Sequence, residues 1–144
     1  MTITIRPATV ADAAEAARLS EAANEYPCSP AKMAVQLERC AGIETLYLAE
    51  VAGQAAGYAC LRFVPTICGP ADPWAELTEL YVEEAYRRPG VGRALIEQVE
   101  AVARAGGAIE LFLLTGFKNT RAHHFYHAVG YSLQCLAMKK LLNG

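Results

Sequence analysis

Several features that define whole classes of protein are missing from this sequence. The 13 Lys and Arg residues are outnumbered by 15 Asp and Glu, which gives a formal net charge of −2 and no cationic face for nucleic acid. The five cysteines form no CxxC pair, which argues against a zinc site or a disulfide framework and fits a reducing compartment. No apolar stretch reaches transmembrane length, and the N-terminus lacks the pattern of a signal peptide. We expect a cytoplasmic protein with neither a nucleic-acid nor a membrane partner.

What the sequence does contain predicts one folded domain over residues 1–144. Of its 144 residues, 53% are hydrophobic, enough to bury a core without disulfides or a metal. Hydrophobic periodicity and capping residues predict an α/β fold, in the order βααβββαβαβ, with a mixed central sheet and helices on both faces. The predicted strands are Thr2–Arg6, Thr45–Val51, Ala55–Val64, Trp74–Val82, Ala108–Leu114 and Tyr131–Leu142. The predicted helices run from the Thr9–Asp12 capping box to about Asn24, from Pro30 (capped by Ser29) to near Gly42, and over Val91–Ala105 and Asn119–Val129.

The segment after the third central strand predicts an anion site. A strand enters, a glycine-containing turn follows, and a helix begins at Val91. The first N–H groups of that helix have no intrahelical partner and lie at the positive end of the helix dipole. Gly90 and Gly92 allow close approach of the backbone, and Arg87, Arg88 and Arg93 add positive charge. A diphosphate suits such a site. A glycine turn without a ligand is about equally common for a lone GxG, and the segment lacks both the Lys-Ser/Thr of a P-loop and the GxGxxG spacing.

The same residues match a known family signature. Arg87-x-x-Gly90-x-Gly92 resembles the Q/R-x-x-G-x-G/A motif of the GNAT N-acetyltransferase superfamily. Three further segments resemble the family in order and spacing: Ile5–Thr9, Leu80–Val82 followed by Tyr86-Arg87, and Asn119-x-x-Ala122-x-x-Phe125-Tyr126-x-x-x-Gly130-Tyr131. The resemblance implies an enzyme that transfers an acetyl group directly from acetyl-CoA, its cosubstrate, to a primary amine in a ternary complex.

The resemblance also implies where acetyl-CoA is bound. Loop amides would hold the diphosphate, and the pantetheine arm would pair like an added strand with Leu80–Val82. Many members have Gly where this chain has Arg88 and a basic residue where it has Pro89. Because proline has no N–H to donate, we hypothesise that Arg88 replaces that contact electrostatically. The implied cofactor-binding residues are Leu80, Tyr81, Val82, Arg87, Arg88, Gly90, Val91, Gly92, Arg93, Asn119 and Tyr126.

Two acids and one tyrosine are the candidate catalytic residues. Glu76 and Glu79 lie in an otherwise apolar strand, where unpaired carboxylates are costly. Residues three apart on a regular strand face opposite sides, so only the bulge known in this family would turn both toward one cleft. We retain both and favour Glu76 slightly as general base. Tyr126 matches the tyrosine that protonates the CoA thiolate in many members, although core packing or solvent exposure explains each of these residues nearly as well.

The acceptor side is expected at the first two helices and the loop before the third central strand. The candidate substrate residues are Tyr26, Trp74, Glu76 and Glu79, and Tyr58 and Arg62 are further lining candidates. His123, His124 and His127 have no additional ligand, so no metal is expected. A homodimer is expected from the resemblance alone. A CoA-binding module without turnover and a structural domain that binds no CoA stay open as alternatives.

Overall fold

A computed structural model describes residues 2–69, 72–88 and 90–143 of the chain. Two compact units divide it, Met1–Leu113 and Leu114–Gly144. None of the helices within the described ranges combines the length and apolarity needed to span a bilayer.

In the described residues, five strands and four helices make up the regular structure. The strands are β1 Ile3–Pro7, β2 Glu44–Val51, β3 Gln54–Val64, β4 Trp74–Val82 and β5 Leu111–Leu113. The helices are α1 Ala13–Asn24, α2 Pro30–Arg39, α3 Val91–Ala105 and α4 Thr120–Ala128. Short 3-10 turns, Val10–Asp12 and Glu84–Tyr86, precede α1 and follow β4. Most predicted elements therefore form at the predicted places.

The first unit is built on one sheet in the order β1-β2-β3-β4-β5. The first four strands are antiparallel neighbours, and β5 runs parallel to β4. This is the mixed sheet predicted from the sequence. On one face, Leu19 of α1 packs with Leu48, Tyr58 and Cys60. On the other, Gly106 directly after α3 lies against the Phe63 ring, so helices cover both faces.

Local caps fix the two helices that precede the second strand. The Thr9 N–H donates to Asp12 Oδ2 at 2.8 Å, as the predicted capping box requires. The Ser29 hydroxyl accepts from the Lys32 N–H at 3.1 Å, and Pro30 occupies the first turn of α2, where a missing N–H costs nothing. The Ser29 cap fixes the end of the turn between α1 and α2, which borders the site described below.

A β-bulge interrupts β4 in its middle. Cys60 pairs with Glu79 and Leu61 pairs with Leu77, so Thr78 is an extra residue on the β4 side. The Thr78 hydroxyl donates to Glu44, and its oxygen also lies 3.3 Å from the Cys60 carbonyl oxygen. Because a bulge resets the alternation of side chains, residues on its two sides change their relative facing.

The prediction of a last strand over Tyr131–Leu142 is wrong. Residues 131–143 form neither helix nor strand in the described chain, and their large apolar side chains, such as Leu133 at 79% and Met138 at 94%, are exposed. The leucines and the methionine there do not keep the strict alternation of a half-buried strand. The strand predicted at Ala108–Leu114 is also shorter than expected, because only Leu111–Leu113 pairs with β4.

The second unit contains α4 and its flanking turns. The Asn119 side chain accepts from the Ala122 N–H at 3.2 Å, which confirms the predicted cap. Within this unit the Tyr126 ring makes edge contacts with Phe125 and Tyr131, at centroid distances of 5.3 and 6.0 Å. Burial raises the pKa of the Tyr126 phenol.

Candidate active site

The start of α3 has the geometry of an anion site. Gly90 precedes the helix with φ of 91°, a left-handed conformation that favours glycine. The Ala94 N–H donates to the Gly90 carbonyl at 3.0 Å, so the amides of Val91, Gly92 and Arg93 lie before that bond, in the turn whose N–H groups lack helical partners. Among the described residues no side chain caps this end. The first turn of α3 can therefore receive ligand oxygens.

The three arginines of the loop differ in their surroundings. Arg88 and Arg93 are exposed and can reach an anion from either side. Arg87 is half-buried, and its Nε donates to the Val82 carbonyl at 2.8 Å while its guanidinium lies 6.0 Å from the centroid of the Tyr81 ring. Arg87 therefore also joins the loop to the end of β4. The predicted effect of Pro89 falls outside the described residues.

The second half of β4 has an open edge. In the described chain β5 pairs only with Ala75–Leu77, so the ladder on that side stops before the bulge. The Glu83 N–H donates to the Ala56 carbonyl on β3 at 2.9 Å. Because main-chain groups alternate along a strand, those of Leu80 and Val82 face away from β3. An extended ligand can pair with this edge as an added strand.

The bulge brings both candidate acids to one face of the sheet. Glu76 pairs with Arg62 and Glu79 pairs with Cys60, and directly opposed residues share a face. Arg62 and Cys60 are two apart on β3, so they lie on the same face. If Thr78 were a regular residue of the ladder instead of a bulge, the two carboxylates would point to opposite sides. The bulge expected in this strand is thus present, at the position where it aligns the acids.

The two acids nevertheless have different partners. Glu76 is 7% exposed, and its Oε1 accepts from Arg62 Nε at 2.8 Å and contacts Nη2 at 2.7 Å. Glu79 Oε1 accepts from the Tyr58 hydroxyl at 2.9 Å and from Asn24 Nδ2 at 2.7 Å. Glu76 is therefore neutralised by an ion pair, whereas Glu79 is oriented by two neutral donors.

The Tyr58–Glu79 contact also affects the phenol. Burial, and next the charge of Glu79, holds the pKa of Tyr58 far above its usual range. Tyr58 therefore stays protonated and remains a donor to Glu79 throughout the neutral range.

A cavity of about 260 Å³ opens between the α1–α2 turn and the face that carries the acids. Its residues come from α1, the turn, α2 and strands β2–β4. They are Ser20, Asn24, Tyr26, Pro27, Cys28, Lys32, Met33, Gln36, Leu37, Cys40, Glu44, Leu46, Tyr58, Cys60 and Glu79. Of the predicted substrate residues, Tyr26 and Glu79 are in this set, and so is Tyr58.

The remaining predicted substrate residues lie elsewhere. Glu76 is on the same face as Glu79 but is not part of the described lining, and neither is Trp74, at the first position of β4. Sequence reasoning missed Asn24, Lys32 and Glu44. Asn24 at the end of α1 and Lys32 in the first turn of α2 lie on either side of the Pro-containing turn that was predicted to face the acceptor. That position in the sequence is the only signal that could have indicated these two residues.

Comparisons with known proteins agree on the family to which these features point. The model of a family described as "Acetyltransferase (GNAT) family" matches residues 13–131. An uncharacterized N-acetyltransferase of Chlorobaculum tepidum is 31% identical over 112 residues, which cover 77% of this chain and 66% of that protein. The chain thus spans about two thirds of the length of this relative.

Solved structures agree on the fold. A ribosomal-protein-alanine N-acetyltransferase from Brucella melitensis superposes with a TM-score of 0.84 at 18% identity, covering 98% of this chain and 100% of that one. An aminoglycoside N-acetyltransferase solved in complex with CoA superposes with a TM-score of 0.85 at 18% identity, covering 99% of this chain and 96% of that one. At such identities the likeness extends to the fold alone.

Proposed function

The chain belongs to the acetyltransferase (GNAT) family, and from that membership we propose that it transfers an acetyl group from acetyl-CoA to a primary amine by direct transfer. The observation that carries the proposal is a continuous arrangement in the first unit. A bulge in β4 turns a carboxylate toward the cavity of about 260 Å³, and after the bulge come an open strand edge and a helix start that no described side chain caps.

The protein's own groups fit acetyl-CoA. We propose that the amides of Val91, Gly92 and Arg93 donate to the diphosphate, with Arg88 adding charge where Pro89 has no N–H. The outward N–H and carbonyl of Leu80 and the outward N–H of Val82 would pair with the pantetheine arm, while the Val82 carbonyl accepts from Arg87 Nε. Acetyl-CoA supplies the acetyl group as a thioester, and a β4 amide at this edge would polarise its carbonyl. The family resemblance adds Asn119 to the binding residues.

We assign the general base to Glu79 rather than to Glu76. Glu79 lines the cavity, and both of its protein donors use Oε1. Its Oε2 can then accept the proton that the amine loses as the N–C bond forms and the C–S bond breaks. Glu76, paired with Arg62, would instead hold the strand at the bulge. The leaving thiolate must gain a proton, and we propose Tyr126 as its donor from the resemblance; because burial raises the pKa of its phenol, Tyr126 carries that proton at neutral pH.

Thermal melts test the binding half of the proposal. Acetyl-CoA at 100-fold over its Kd stabilises the folded state by about 2.7 kcal/mol. With an unfolding entropy of roughly 0.3 kcal/mol/K for a chain of this size, Tm rises by roughly 9 °C. No rise would contradict any CoA-dependent function.

Turnover tests the other half. Release of CoA from acetyl-CoA in the presence of a primary amine from a test panel supports the transferase. A raised Tm with no CoA release for any amine supports the CoA-binding module instead. Glu79→Gln should lower kcat by roughly 10²–10⁴-fold and leave the acetyl-CoA effect on Tm in place. The companion Glu76→Gln should chiefly lower Tm, because Arg62 loses its charged partner. The opposite order of kcat losses would reassign the base to Glu76.

A further inference from the structure

The cavity beside Glu79 carries two carboxylates that no protein cation neutralises. Within the described ranges neither Glu44 nor Glu79 forms a salt bridge. Their hydrogen-bond donors are neutral groups: the Thr78 hydroxyl for Glu44, and the Tyr58 hydroxyl and Asn24 amide for Glu79. Neutral donors orient a carboxylate without cancelling its charge. The strand side of the cavity therefore attracts a cation.

Arg62, the cation opposite Glu44 on the neighbouring strand, has another partner. Arg62 lies opposite Glu44 in the β2–β3 ladder, but its guanidinium contacts Glu76. Burial, and next the charges of Glu44 and Glu79, raises the pKa of the Cys60 thiol, so this lining residue stays neutral. The negative charge of the strand side is left for a ligand to balance.

The helix side of the cavity carries the opposite charge. Lys32, in the first turn of α2, lines the cavity, and in the described part of the chain no carboxylate is ion-paired with it. Gln36 follows one turn later and lines the cavity too. Positions four apart share a helix face, so one wall presents an ammonium and an amide toward the wall that carries the acids.

We propose that the amine acceptor is a small molecule that also carries an anionic group, such as a carboxylate, with its amine at Glu79 and its anion at Lys32. This rests on the proposed function and names the substrate class of the same site. A cavity of about 260 Å³ lies below the usual range for drug-sized ligands, roughly 300–1,000 Å³. A polyamine with one amine at Glu79 would bring a second cation toward the Lys32 ammonium, and the two like charges would repel each other.

Three ligands of matched length test the charge preference: butylamine, 4-aminobutanoate and 1,4-diaminobutane. The Kd of each is measured by NMR titration in the presence of CoA, and kcat/KM is measured with saturating acetyl-CoA. The expected order of affinity is 4-aminobutanoate, butylamine, 1,4-diaminobutane, with roughly two- to fivefold between the first two, as expected for one ion pair with the exposed Lys32. Equal affinities, preference for the diamine, or no binding by any of the three would overturn the proposal.

Variants at Lys32 assign the preference to this residue. Lys32→Gln should remove the advantage of 4-aminobutanoate over butylamine, Lys32→Arg should retain it, and Lys32→Glu should shift preference toward the diamine. Arg39→Gln is the matched control, because it removes one positive charge from the same helix at a position outside the described lining. An unchanged ratio in Lys32→Gln would refute the assignment. Absence of acetylated product with the Kd order preserved would refute only the proposed function.

Discussion

Replacing Gly57 by alanine should distort the edge of β4 that we propose to bind CoA, from the opposite side of the strand. Gly57 pairs with Val82, and a Cβ added to Gly57 would lie 2.4 Å from the Tyr81 carbonyl oxygen and 3.0 Å from the Val82 Cα. The shortest usual C···O contact is about 3.3 Å, so β3 and β4 must separate by roughly 0.9 Å. Both obstructing atoms belong to the backbone and cannot rotate away. Overpacking of this kind costs about 1–3 kcal/mol, which lowers Tm by roughly 3–10 °C for a chain of this size.

Activity should fall beyond what the stability loss explains. A displacement of about 1 Å at the reacting geometry can cost roughly 100-fold in rate, and Tyr81 and Val82 lie at the edge proposed for pantetheine. Gly53→Ala is the control, because a Cβ at Gly53 meets nothing within 4 Å, although its φ of 79° strains the variant. Melts and acetyl-CoA KM values are compared for the two variants. Equal KM and kcat in both, at comparable Tm, would refute the reasoning.

Three further predictions concern pH and individual side chains. The Arg6 guanidinium holds the pKa of Asp12 far below its usual value, so Asp12 stabilises the fold above about pH 4 and this contribution is lost on acidification. Asp12→Asn should therefore lower the free energy of unfolding by about 1 kcal/mol at neutral pH, with the difference closing toward pH 2 in urea titrations; a constant difference would contradict the linkage. Tyr126→Phe should lower kcat while leaving the acetyl-CoA effect on Tm unchanged. A stable variant whose turnover equals that of the wild type would exclude the acid role. Tyr58→Phe should lower kcat more than it raises the KM for the amine, since it frees Glu79 to rotate; an effect on KM alone would indicate a binding role.

The sequence predicted most of the fold because its signals are local. Ser29 before Pro30 and Asn119 before α4 mark helix starts by their own chemistry, and both caps form. The prediction of the last strand failed because the apolar residues scattered over Tyr131–Leu142 do not specify which strand they would pair with. A strand forms only by pairing with another strand, and the described residues show no strand over 132–142.

The site was only partly predictable for a related reason. An extra residue in a strand leaves no mark in the sequence, so the shared face of Glu76 and Glu79 had to come from the family resemblance. Glu44 and Lys32 lie far along the chain from Glu79, and only the folded sheet and α2 bring them to one cavity. The different partners of the two acids, Arg62 for one and Tyr58 with Asn24 for the other, likewise depend on tertiary contacts.

An NMR titration of the loop amides tests the central claim most directly. If the first turn of α3 holds the diphosphate, the amide proton resonances of Val91, Gly92 and Arg93 should move downfield with acetyl-CoA and stay in place with acetyl-pantetheine, which lacks the diphosphate. Tight binding of acetyl-CoA with these three resonances unmoved would contradict the account.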